Sequence, residues 1–271
     1  MKKKQPIGIF DSGIGGLTVA KAISVLLPNE QIIYFGDTAH FPFGDKSKDS
    51  IKKYSKGISE FLLNNNCKTI IIACNTASSL ASVYLRSFLP KDLPLIDVIT
   101  PVSKLFQSSS YARVGVIATK GTVGSNVYSQ RINELNPNVS VRSLATPLLA
   151  PMIEEAFFDN KISYTVIKEY LSHQELEKIE ALILGCTHYP LIETEISQYY
   201  KLTNQNVFVV NSAKVIAHEV KRVLKTKHLL SDSLENEHHF YVSDYTNSFE
   251  NSTKIFFGDE LKLEKQNIWK F

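Results

Sequence analysis

Short apolar runs alternate with longer amphipathic stretches along most of the chain, and this alternation restricts the fold more tightly than any other feature. PIGIF, QIIYF, KTIIIA, LPLIDV, ARVGVIA, VSVRSL, EALILG and NVFVV read as strands. Between them, GGLTVAKAISVLL, DSIKKYSKGISEFLL, TASSLASVYLRSFL and AKVIAHEVKRVL carry apolar residues near helical spacing, which predicts helices. Strands that are apolar throughout are covered on both faces, and strands separated by helices pair in parallel. The expectation is an α/β protein with helices flanking parallel sheets.

A chain of 271 residues accommodates one large α/β unit or two smaller ones. Its 44% hydrophobic and 21% charged content excludes disorder, collagen and coiled coil. A net charge of +3, from 30 basic against 27 acidic side chains, is too small to argue for a nucleic-acid partner; Lys2, Lys3 and Lys4 read as a solvated terminus. No stretch resembles a signal peptide or an apolar span of about 18 residues, so no membrane partner is expected. The three cysteines, Cys67, Cys74 and Cys186, cannot all pair with one another, and they are read as reduced thiols of a cytoplasmic protein.

In parallel sheets, ligands collect beyond the carboxyl ends of the strands, where loops lead into helix N-termini. Cys74, in IIACNTAS, and Cys186, in ILGCTHYP, both stand there, as do Asp11 and Ser12 after PIGIF and Thr119 after ARVGVIA. A short internal match supports two lobes. GIFDS (Gly8–Ser12) and GVIAT (Gly115–Thr119) share a glycine, two apolar residues, one variable position and a hydroxyl, and a cysteine follows each at a similar offset. Two similar α/β lobes are therefore expected, residues 1–99 with 211–271 and residues 100–210, with their thiols across a shared cleft. KTKHLLSDSLENEHH reads as a polar surface loop decorated by His238 and His239 rather than a metal site, and the tail HFYVSDYTNSFENSTKIFF is expected to return to the first lobe.

FDSGIGGLT (Phe10–Thr18) is a strand end, a glycine-rich turn and a helix start, a geometry in which backbone amides can approach an anion. It lacks both the GxGxxG spacing of a dinucleotide site and the Lys-Ser/Thr ending of a P-loop, so a small anionic substrate fits as well as a phosphate, and Asp11 as a plain helix cap fits too. Cys67, in LLNNNCKTI, has no polar partner and reads as core. The other two cysteines differ, because Asn75 and Thr76 follow one and Thr187 and His188 the other, and a helix is expected to start just after each. A thiol acts as base or nucleophile only as thiolate, which a helix N-terminus or a nearby cation favours. Disulfide exchange generally uses cysteines close in sequence, and a cysteine hydrolase would leave the second thiol unexplained. Proton transfer at a stereocentre needs one base and one acid on opposite faces of a carbon, which two thiols in facing lobes would supply.

FDSGIGGLT, GDTAHFPFGDKS (Gly36–Ser47), ACNTAS around Cys74, ATKGTVGSNVY (Ala118–Tyr128), PMIEEA around Glu154 and GCTHYPLI around Cys186 carry a close resemblance. With these motifs in this order, the chain resembles the bacterial glutamate racemases of the cofactor-independent aspartate/glutamate racemase superfamily. The resemblance implies interconversion of L- and D-glutamate, supply of D-glutamate for peptidoglycan, no pyridoxal phosphate or metal, and a homodimer. Cys74 and Cys186 would be the acid/base pair, with Asp11 assisting Cys74, and Glu154 and His188 assisting Cys186. Asp11, Ser12, Asn75, Thr76, Thr119, Thr122, Thr187, His188 and the Phe43–Gly44 backbone would hold the amino acid. Phe43 stands where the family usually has tyrosine, which puts a phenol contact in question. The chain carries no long segment before PIGIF, so regulation by a cell-wall precursor bound there, known in part of the family, is not expected. A racemase for aspartate or another small amino acid, and a cysteine-dependent amidase, are the rival readings.

Overall fold

The computed structural model describes residues 2–246, 249–250, 253–254 and 261–269. In chain order the strands are β1 (Ile7–Asp11), β2 (Ile32–Gly36), β3 (Thr69–Ile72), β4 (Leu95–Asp97), β5 (Arg113–Ala118), β6 (Ser140–Ala145), β7 (Ala181–Gly185), β8 (Phe208–Val210), β9 (His239–Val242) and β10 (Leu263–Lys265). The helices are α1 (Leu17–Leu26), α2 (Lys48–Asn64), α3 (Asn75–Phe88), α4 (Ile99–Lys104), α5 (Lys120–Gly124), α6 (Val127–Leu135), α7 (Leu149–Glu154), α8 (Lys161–Leu171), α9 (Glu193–Leu202) and α10 (Ser212–Thr226). The strands form two sheets, ordered β10-β9-β2-β1-β3-β4 and β6-β5-β7-β8, and every pairing is parallel.

Side chains alternate across a strand with a period of two, and this sorts the apolar residues into three layers. Ile7 and Ile9 of β1, Ile71 of β3, Val114 and Val116 of β5 and Ile183 of β7 all enter one continuous core with α1 and α10. Their neighbours point outward: Phe10, Ile70 and Ile72 pack beneath α2 and α3, while Ile117, Leu182 and Leu184 pack beneath α8 and α9. Each sheet therefore has helices on both faces, and the two lobes share the middle layer. That shared layer brings the carboxyl ends of β1, β3, β5 and β7 together, where Asp11 meets Thr187 and Thr76 meets Thr119.

The two sheets also share a register. Gly8 of β1 pairs with Ile70 of β3, and Gly115 of β5 pairs with Leu182 of β7. Each catalytic candidate lies four positions beyond the paired residue, Cys74 after Ile70 and Cys186 after Leu182, so the two thiols occupy equivalent places in the two lobes.

Several local expectations are corrected. Helices α4 and α6 to α9 were not among those read from the sequence, and KTKHLLSDSLENEHH is a loop except at its two ends. Helix α10 runs through Thr226, and His239 begins β9 and pairs with Glu264 at 3.0 Å. His238 is half-buried and its Nδ1 accepts from the Ile32 amide at 3.2 Å, so these histidines fasten a sheet edge instead of decorating a loop. The tail does return to the first sheet through β9 and β10, although positions 247–248, 251–252 and 255–257 of HFYVSDYTNSFENSTKIFF lie outside the described residues. The lysine run is exposed but engaged, with Lys2 on Asp92 at 3.2 Å, Lys3 on Asp232 at 3.9 Å and Lys4 on Glu235. Among the described residues no helix is long and apolar enough to cross a membrane.

Candidate active site

Cys74 is the N-cap of α3. The residue before a helix can satisfy one of the first free amides, and here the Ala77 N–H donates to Sγ at 3.4 Å. The thiol in turn donates to Ser12 Oγ at 3.7 Å. Burial pushes the Cys74 thiol up to about 12, and the negative charges of Asp11 and Cys186 add to this against the Ala77 amide and the Ser12 hydroxyl. Cys67, four-hundredths exposed and packed in the outer core of the first lobe, is pushed up to about 12 by burial alone.

Asp11 ends β1 and holds the glycine-rich turn. Its Oδ2 accepts from the Gly13 amide at 3.2 Å and the Gly16 amide at 3.0 Å, and its Oδ1 accepts from Thr187 Oγ1 of the second lobe at 3.3 Å. The carboxyl is fully buried and raised above its usual range by that burial, with the His188 cation and the two amides opposing the shift. Asp11 therefore acts on Cys74 through space, and its hydrogen bonds organise the turn. The turn's glycines answer to close approach: a Cβ on Gly15 would meet the His188 ring at 2.5 Å and Thr187 Oγ1 at 2.7 Å. Tyr34 supports the turn from below, its hydroxyl donating to the Gly13 carbonyl at 2.7 Å.

Cys186 has different neighbours. The helix expected directly after it is absent: the chain makes a turn through Thr187 and His188, a short helical turn spans Tyr189–Ile192, and α9 begins only at Glu193. This detour turns His188 inward, where Nδ1 faces Cys186 Sγ at 3.7 Å and Nε2 binds Glu154 at the end of α7. Burial alone would favour a neutral ring. The Glu154 carboxylate and the Cys186 sulfur outweigh it and hold His188 well above the ordinary histidine value, so it is an imidazolium at neutral pH. One thiol thus has a helix amide, and the other has an imidazolium that can supply a proton.

Polar groups from both lobes complete the site. Thr76 of α3 shares hydrogen bonds with Thr119 at 2.9 Å and Thr122 at 3.3 Å, and Thr119 donates to Thr122 at 3.1 Å, a triangle of hydroxyls across the seam. Thr18 Oγ1 reaches the Thr187 carbonyl at 3.0 Å, a further crossing. Gly44 lies against Thr119, where a Cβ would stand 2.8 Å from the threonine Cβ. Phe43 is buried in the outer core of the first lobe near Tyr54, with ring centroids 5.7 Å apart, so its side chain packs and the adjoining backbone faces the second lobe. Asn75 is buried beside Cys74, its Oδ1 accepting from Tyr128 at 2.7 Å. Sequence reasoning missed Tyr128, Tyr34 and Phe41, whose ring lies 5.9 Å from that of His188. A tyrosine or phenylalanine at helical or strand spacing reads as core, and only the motif ATKGTVGSNVY hinted that Tyr128 does more.

Two facing α/β lobes with acid–base side chains gathered at their strand ends define a class, and comparison with known proteins agrees. The family described as Asp/Glu/Hydantoin racemase matches residues 17–220, and the chain belongs to it. Within that family it is similar to the glutamate racemase of Chlorobaculum tepidum, 40% identical over 94% of this chain and 93% of that one. Among solved structures it resembles the glutamate racemase of Francisella tularensis in complex with D-glutamate, with TM-score 0.90, 40% identity and 98% of each chain covered. A glutamate racemase isoform of Bacillus anthracis superposes with TM-score 0.90 at 34% identity, covering 97% of this chain and 98% of that one.

Proposed function

We propose that this chain racemises glutamate by proton transfer between Cys74 and Cys186, acting in the cytoplasm as a homodimer to supply D-glutamate for peptidoglycan. The observation that carries the mechanism is the equivalence of the two thiols, one per lobe at the same register beyond the same strand pair. Relatives named glutamate racemase, one of them bound to D-glutamate, support the substrate.

Starting from either enantiomer, the thiolate on the face that carries the α-hydrogen takes that proton. An S–H bond forms as the Cα–H bond breaks, and the electron pair passes into the α-carboxylate. The thiol on the opposite face then releases its proton to Cα and becomes thiolate. The substrate is inverted: its own α-proton now sits on the first sulfur, and the proton it has gained came from the second. Burial that raises a thiol also makes its thiolate a stronger base, which suits a weakly acidic Cα–H. Charge growing on the carboxylate would be met by the Asn75 amide, by the hydroxyls of Ser12, Thr76, Thr119, Thr122 and Thr187, and by the Phe43–Gly44 backbone. In a closed site such dipoles count for more than in water. Each turnover leaves thiolate and thiol exchanged between the two sulfurs, and proton exchange with solvent restores them, with His188, held by Glu154, as the group that passes the proton on the Cys186 side.

Incubating L-glutamate with the protein in deuterium oxide tests this reading. The optical signal is expected to decay as deuterium enters the α position, read by circular dichroism and mass spectrometry. An unchanged signal from demonstrably folded protein would remove the glutamate assignment.

A further inference from the structure

We infer that Tyr128 is a positioning residue that decides which end of the Asn75 amide faces the substrate, an inference that rests on the racemase reading above. Tyr128 belongs to α6 in the second lobe and Asn75 opens α3 in the first, directly after Cys74. Both side chains are buried, at 3% and 2% exposure, and the phenol donates to Asn75 Oδ1 at 2.7 Å. The other end of the same amide, Nδ2, is buried with no hydrogen-bond partner. Buried donors are nearly always satisfied, so an N–H pair left open beside a reactive thiol points to an acceptor that arrives with the substrate. An oxygen of the amino acid's carboxylate is such an acceptor.

A primary amide is almost symmetric in shape, and its hydrogen bonds alone set which end is oxygen. Burial, and after it the negative charges of Asp97 and Cys186, raise the Tyr128 hydroxyl far above the usual phenol value, so it stays protonated. Its hydrogen has no other acceptor shown among the described residues. Turning the amide over would strand that hydrogen and present carbonyl lone pairs to an anion. The phenol thus holds Nδ2 as the end available to the carboxylate. Because the two partners come from different lobes, the donor is aimed only when the lobes sit as they do here.

The test compares Tyr128→Phe, Asn75→Ala and the double variant with the wild type, measuring kcat and KM for both glutamate enantiomers. Tyr128→Phe keeps the ring in the core but removes the donor. KM is expected to rise roughly ten- to a hundredfold for both enantiomers, the scale of one hydrogen bond to a charged group, with kcat falling by less. In the double variant, KM is expected to match that of Asn75→Ala alone, because the phenol has nothing left to orient. A Tyr128→Phe protein that melts at a lower temperature yet keeps the wild-type KM overturns the inference, as do effects that multiply in the double variant. A folded wild-type protein that turns over neither enantiomer would instead sink the racemase reading.

Discussion

Cys74 and Cys186 are the same side chain in opposite surroundings. Cys74 has a helix amide and a hydroxyl, and burial pushes it up to about 12; Cys186 faces a histidine that Glu154 keeps charged. Burial lowers the His188 value, and the Glu154 carboxylate is the largest influence opposing it, with Cys186 beside it, so Glu154→Gln is expected to lower the imidazole from its raised value. In the wild type, the stability gained by holding the imidazolium is full below the ordinary histidine value of about 6.5 and is lost only as pH rises through the raised one. In Glu154→Gln the gain shrinks, and what is left of it is lost at a lower pH than in the wild type, because the folded-state value has moved down. NMR titration of the His188 ring and melting curves against pH check this. A ring in the variant that titrates where the wild-type ring does would contradict it. On activity, loss of the charged partner is expected to cost roughly 100- to 10,000-fold in turnover, the usual range for an acid–base group.

At the scale of elements, the turn between β1 and α1 brings the lobes together. Gly15→Ala would push a methyl into the His188 ring, which Glu154 pins in place, so the ring or the whole turn must shift. A displacement of about 1 Å at a reacting group can cost roughly a hundredfold, and that loss in kcat/KM is expected of Gly15→Ala. Gly124, the last residue of α5, has nothing within 4 Å of an added Cβ. Gly124→Ala is expected to keep full activity and to gain about 0.5–1 kcal/mol of stability from the reduced freedom of the unfolded chain. Equal activity losses for the two would refute the packing argument.

The central strands were legible because a parallel strand buried on both faces is an unbroken apolar run, as in Ile7–Phe10 and Ala181–Leu184, while the edge strand β6 showed itself by apolar and polar residues in alternation. The short helices of the second lobe were not, since a helix such as α7, of six residues, makes too few turns to show a period. Strands β9 and β10 escaped for the opposite reason, as both are only partly covered, β10 at the edge of its sheet and β9 next to it. The helix wrongly expected after Cys186 is instructive too: THYP reads as a helix start, but the chain there turns inward to present His188 to Glu154. Residues marked by type and place, such as the cysteines, Asp11 and His188, could be named as candidates in advance, and Glu154 through the resemblance of PMIEEA to the family. Tyr128 could not, because its importance lies in one hydrogen bond across the lobes.

At the scale of the whole molecule, the fold places one thiol on each side of a seam. The strand orders β2-β1-β3-β4 and β6-β5-β7-β8 repeat one another, and the continuous middle core holds the two sheets in a fixed relation. Thr76 with Thr119 and Asp11 with Thr187 are among the polar contacts that cross the seam beside the cysteines. A flat amino-acid carboxylate held between the lobes would then present opposite faces of Cα to opposite sulfurs. The most direct test of this arrangement is α-hydrogen exchange in deuterium oxide by Cys74→Ala and Cys186→Ala, measured separately on each enantiomer. Each variant is expected to lose racemisation yet retain exchange on one enantiomer only, and the two variants are expected to retain opposite ones. Exchange lost equally for both enantiomers in both folded variants, or retained for the same enantiomer in each, would contradict two independent bases on opposite faces.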